Sequence, residues 1–75
     1  MAWVVIHNSY LTTQYVFLDM KPKATLPPAS KQRFEVPPGA HTVTLSDSEK
    51  GDRNPQSVAE VFDAGYEYRY EVVSR

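Results

Sequence analysis

Apolar and polar residues alternate along most of this chain, the period-two signature of half-buried β-strands, and helical spacing is mostly absent. The run 2–8, with Trp3, Val4, Val5 and Ile6, is apolar on both sides and suits a strand covered on two faces. Residues 12–20 set Tyr15, Phe17 and Asp19 on one side and Val16, Leu18 and Met20 on the other, which predicts a second, largely buried strand. In 21–30, Pro22, Pro27 and Pro28 lack backbone donors and fix φ, so an irregular or edge segment is expected. Alternation resumes at 32–36 through Phe34 and Val36, and again at 41–45 through Val43 and Leu45. Between them, Pro38 presets the first corner of a type II turn and Gly39 accepts the positive φ of the second, which predicts a hairpin.

Residues 46–56 are polar or turn-forming throughout, a long exposed loop without an apolar anchor. The stretch 57–63 reads two ways. Asn54 offers a helix cap, with Pro55 at the first helical position, Gly65 beyond the end and Val58, Val61 and Phe62 at helical spacing. Against this, Val58, Glu60 and Phe62 alternate with Ala59, Val61 and Asp63 between strand-like neighbours, and the strand is the favoured reading. The last run places Tyr66, Tyr68, Tyr70 and Val72 on one face and Glu67, Arg69 and Glu71 on the other. The expected fold is all-β, a small antiparallel β-sandwich of six to seven strands forming a single domain over 1–75.

Size sharpens that picture, since a chain of 75 residues buries only about 60% of its unfolded surface and has little stability in reserve. There is no cysteine, so neither a disulfide framework nor a thiolate zinc site supplements the core. Nine aromatic residues must supply much of the packing. A net charge of −1 argues against a nucleic-acid binder, which must neutralise many phosphates. Charge is uneven: through Arg33 the balance is +3, and beyond it −4, as a mixed solvated surface would give. No apolar run approaches the roughly 20 residues of a membrane helix, and direct membrane insertion is not expected. No signal peptide is visible, so the literal reading is cytoplasmic; if the chain is part of a longer exported protein, the reading becomes exported or envelope.

Catalytic chemistry is hard to find. A nucleophilic triad needs serine or cysteine beside a histidine oriented by a carboxylate, and no such motif is present. His7 and His41 each fall in phase with a strand face, and without a third ligand they make a weak metal case. Asp47, Glu49 and Asp52 gather three carboxylates, but Gly51 and Asp52 are out of step with an EF-hand loop. Gly39, Gly51 and Gly65 are too dispersed to cradle phosphate. No catalytic residue, metal ligand or cofactor is therefore expected. Tyr66, Tyr68 and Tyr70, with Trp3, are the candidate binding residues, as a stacking platform if they are exposed together; core packing with hydroxyls at the rim is the competing expectation.

The segment 34–45, Phe-Glu-Val-Pro-Pro-Gly-Ala-His-Thr-Val-Thr-Leu, resembles the central hairpin of PEGA-type domains and related small bacterial envelope and lipoprotein β-sandwiches. Pro38 stands in place of the glutamate of the Pro-Glu-Gly-Ala turn, and Tyr15-Val16-Phe17-Leu18-Asp19 resembles the preceding family strand, with Met20 where glycine usually follows the aspartate. Ala64-Gly65-Tyr66 and the closing alternation resemble the family's last hairpin. The resemblance implies a compact accessory or interaction module and transfers no binding residue.

The expected function is thus a noncatalytic module binding a protein or surface partner. One alternative is a small stand-alone cytosolic or phage-encoded inhibitor. Another is a hydrolase or metal enzyme, which requires His7 and His41 to converge with a carboxylate. So short a chain also leaves sheet edges uncovered, so pairing into a homodimer through an edge is expected.

Overall fold

The computed structural model describes residues 1–73, and these form seven strands and no helix. They are β1 (Ala2–Asn8), β2 (Gln14–Leu18), β3 (Lys21–Leu26), β4 (Lys31–Val36), β5 (Gly39–Ser46), β6 (Gln56–Phe62) and β7 (Glu67–Val72). One sheet has the order β4-β1-β7 and the other β3-β2-β5-β6. Every pairing is antiparallel except β1 with β7, which run parallel. The all-β sandwich expected from the alternation is therefore present, with one parallel pair in it.

Period-two patterning explains the core. In β1, Ala2, Val4, Ile6 and Asn8 are buried while Trp3, Val5 and His7 are half-buried on the outer face. The inner residues meet Phe34 and Val36 of β4, Val72 of β7, and Val16, Leu26, Val43 and Phe62 from the facing sheet in one cluster. Of the stretch 57–63, residues 57–62 resolve as strand, because β6 continues the ladder beyond β5 with Val58 opposite Val43 and Phe62 opposite Gly39. Phe62 is buried at the end of that strand, whereas Val61, which would share its apolar face in the helical alternative, is exposed.

Three local expectations are corrected. First, the strand expected over 12–20 stops at Leu18. Asp19 and Met20 both have positive φ, 51° and 66°, and form a two-residue turn of the I′ kind with Leu18 opposite Lys21. The chain then returns as β3, an edge strand in which Pro22 is tolerated because the ladder bulges there, Val16 pairing with Ala24 and Phe17 with Pro22.

Second, Pro38-Gly39 closes no hairpin. β4 and β5 lie in different sheets, and the segment 37–38 carries the chain across the sandwich into β5, where Gly39 has φ 119°. Alternation specifies which face of a strand is buried but not which strand lies beside it, and two consecutive prolines offer no donors to a closing ladder. The type II turn is instead at Pro28-Ala29, where Ser30 N–H donates to Pro27 O at 3.1 Å and Ala29 has φ 66°. The turn at Ala64-Gly65 likewise links β6 and β7 in different sheets rather than closing a hairpin.

Third, the loop expected over 46–56 is exposed over most of its length, as expected, but Ser46 ends β5, Gln56 opens β6, and the segment between them is anchored. Ser48 Oγ accepts from the N–H groups of Asp52 and Arg53 at 3.1 and 3.0 Å, and buried Ser46 donates to Arg53 O at 2.8 Å. The loop lies over the outer face of β2, where a Cβ on Gly51 would stand 3.2 Å from the Phe17 ring. Phe17 is buried beneath it, although a strict two-face alternation would have left it half exposed.

A candidate interaction surface

The sequence-predicted binding residues do not assemble into one platform. Tyr68 and Tyr70 stand opposite Val4 and Ile6 and so share the inner face of their sheet. The Tyr68 ring meets Phe62 edge to face at 4.9 Å, and its hydroxyl accepts from Asp63 N–H at 2.8 Å. Tyr70 donates to Glu60 Oε1 at 2.8 Å, tying β7 to β6 across the sandwich. Burial first, and then the Glu60 carboxylate, push the Tyr70 phenol well above its ordinary pKa. Tyr66 is exposed in the turn before β7.

Trp3 faces the other way, opposite Glu35 on β4 and Glu67 on β7. Its ring is covered by the chain's own Arg33, whose guanidinium carbon lies 3.6 Å from the ring centroid. Arg33 Nε is 3.0 Å from one oxygen of Glu67, and Arg69 Nη2 is 2.9 Å from the other. Arg69, and then Arg33, hold the Glu67 carboxyl below the usual range. This face carries a charge network beside Trp3, in which Arg33 and Arg69 share the Glu67 carboxylate.

The histidines are also separated. His7 lies on the outer face of β1 with Nδ1 3.6 Å from Glu71 Oε2. His41, on β5 in the facing sheet, has Nδ1 2.5 Å from Asp19 Oδ2 and Nε2 2.9 Å from Pro37 O. Both of its partners are acceptors, so the protonated ring satisfies them by donating twice, and the Asp19 hydrogen bond raises the His41 pKa. Each imidazole thus has its own carboxylate, and the convergence that a hydrolytic site requires is not formed. Among the described residues no three His, Asp or Glu side chains are grouped to hold a metal ion. In the loop, Asp47 accepts from Gln14 and Asn54, and Asp52 accepts from Ser48.

What the fold does leave open is an edge. Sheets ending in β4, β7, β3 and β6 have four edge strands, and three are guarded. β3 has Pro22, two lysines and the bulge; β4 carries Lys31, Arg33 and Glu35; β7 carries Glu67, Arg69 and Glu71. β6 has no proline and one charge, Glu60, already bonded to Tyr70. Val58 and Val61 on it are 45% and 63% exposed. Among the described residues, its backbone pairs with β5 on one side only.

Beside this edge, the two sheets part into a cleft of about 410 Å³. Ile6, Val43 and Leu45 line its apolar interior, and Val58 and Tyr70 stand at its sides. Larger hollows of about 520 and 490 Å³ exist elsewhere, but they are bordered by Lys23 and Glu49, or by Lys31, Arg69 and Glu71. The apolar cleft is the better match to a buried side chain. Of its residues only Tyr70 was named from the sequence as a binding candidate. The legible signal for the edge itself was the lack of lysine and proline across Gln56–Phe62.

Comparison with protein-family models, with curated proteins and with solved structures returned no match. The geometry of the chain is therefore the whole basis for assigning it a role.

Proposed function

We propose that this chain is a noncatalytic interaction module that receives an extended segment of a protein partner along β6, with an apolar side chain of that segment seated in the neighbouring cleft. The observation that carries the reading is the conjunction of an unguarded strand edge with an apolar opening into the core beside it. Strand addition draws affinity from backbone hydrogen bonds and specificity from alternate side chains that enter pockets, and this edge supplies both elements.

The test is a titration of isotope-labelled protein with extended peptides of alternating apolar and polar residues, followed by backbone amide shifts. Shifts concentrated in β6 and around Tyr70, and lost in Ala59→Lys, support the proposal. Binding that maps to Trp3 and Arg33 would move the site to the charged outer face and overturn it.

A further inference from the structure

We infer that the β6 edge pairs with β6 of a second copy of this chain, in an antiparallel two-fold arrangement that makes the two four-stranded sheets continuous. The inference rests on β6 being the acceptor edge proposed above and names its occupant. A strand added to a sheet must present its own unpaired backbone groups, and among the four edge strands of the described residues only β6 has no proline and a single charge, Glu60, which is turned inward to the Tyr70 hydroxyl.

A two-fold axis perpendicular to the sheet keeps inner faces together, so each residue faces one of the same parity, and the same surface serves both subunits. With the axis at Val58, the valine of each copy faces its counterpart beside the two clefts. Ser57 then faces Ala59, and Gln56 faces Glu60. No carboxylate is set against another, and a glutamine amide is placed opposite each Glu60, whose one recorded bond is to the Tyr70 hydroxyl. The same pairing covers Val58, an exposed apolar residue at the mouth of the cleft. Like charges directly opposite one another destabilise strand pairs, whereas apolar and opposed polar pairs support them. A single strand pair buries less than the about 1,200–2,000 Å² of a stable interface, so the dimer should be weak and concentration-dependent.

Because the chain has no cysteine, a single introduced one reports position without ambiguity. Val58→Cys, Lys23→Cys, Lys31→Cys and Glu71→Cys would be oxidised mildly at high protein concentration, alongside light scattering of the unmodified chain. The inference predicts disulfide dimers from Val58→Cys at least tenfold in excess of the other three, and a scattering mass rising from 8.5 kDa toward twice that value with concentration. Ala59→Lys, on the exposed outer side of β6, should hold the mass at the monomer value. A chain that stays monomeric to millimolar concentration overturns self-pairing. If peptides still shift β6 amides in that case, the acceptor edge survives with a different occupant; if they do not, both proposals fall. Equal cross-linking at all four sites, or an excess at another edge, also overturns the inference.

Discussion

Replacing Met20 with glycine should stabilise this protein, although the change deletes a side chain and adds a flexible residue. Met20 is the second residue of the I′ turn between β2 and β3 and has φ 66°. For a residue with a Cβ, the left-handed conformation costs about 1–2 kcal/mol, and glycine escapes it. The side chain being lost does little: it is 70% exposed, and its one recorded polar contact is Thr44 Oγ1 to Sδ at 4.0 Å. Glycine gives back part of the gain, about 0.5–1 kcal/mol, through the greater freedom of its unfolded chain. Met20→Ala is the control, because it removes the same contacts while keeping the strained backbone. The glycine variant should therefore exceed the alanine variant by about 1 kcal/mol, which for a domain of this size is about 4–8 °C in Tm. Urea denaturation of the three proteins measures it. A glycine variant no more stable than Met20→Ala would refute the turn geometry. Asp19, by contrast, is not interchangeable, since it accepts from Thr42 N–H at 2.9 Å while also binding His41.

Other predictions follow from the same contacts. Asn8 is fully buried, donates to Thr12 O and Leu26 O, and accepts from Tyr10 N–H, so it joins the end of β1 to the facing sheet. Asn8→Ala should cost about 1–3 kcal/mol for each of those groups left unpaired, read from the urea midpoint. Gly51→Ala should destabilise more than Gly39→Ala: both have positive φ, but only at Gly51 does a new Cβ meet Phe17, at 3.2 Å. Equal losses would mean that the loop does not pack on that ring. The His41–Asp19 pair should give stability a pH profile. The folded pKa of His41 is raised above 6.5, so its contribution is complete below that pH and is lost as pH rises through the folded value. The folded pKa of Asp19 is lowered below 3.8, so its contribution is present above that pH and is lost as pH falls through the folded value. The stability difference between the wild type and His41→Gln should thus be greatest between about pH 4 and 6 and should shrink in alkali; a difference that grows above neutrality would contradict the pairing.

The strands were legible because burial imposes period two on their sequence, and even the helix-like spacing of Val58, Val61 and Phe62 yielded to the alternation around it. Sheet membership was not, since Phe34 and Val36 bury the same faces whether β4 lies beside β5 or across from it. Turn chemistry misled for a related reason. Pro38-Gly39 has the residues of a type II turn, while Pro28-Ala29 and Asp19-Met20 adopt tight turns with residues that carry a strain penalty, which the surrounding pairing outweighs. The packing alternative for Tyr68 and Tyr70 matched their inward placement, but Arg33 stacking on Trp3 depends on β4 pairing with β1 and had no local signature. The cleft beside β6 is equally nonlocal, assembled from β1, β5, β6 and β7.

Residue-resolved hydrogen exchange along β6, compared between dilute protein and protein at millimolar concentration or saturated with a bound peptide, tests the open edge most directly. The amides of Gln56–Phe62 that point away from β5 should exchange rapidly in dilute solution and become protected when the edge is occupied, while those bonded to β5 stay protected throughout. Outward amides that are already protected in dilute monomer, or that remain unprotected with partner bound, would contradict the assignment of β6 as the binding edge.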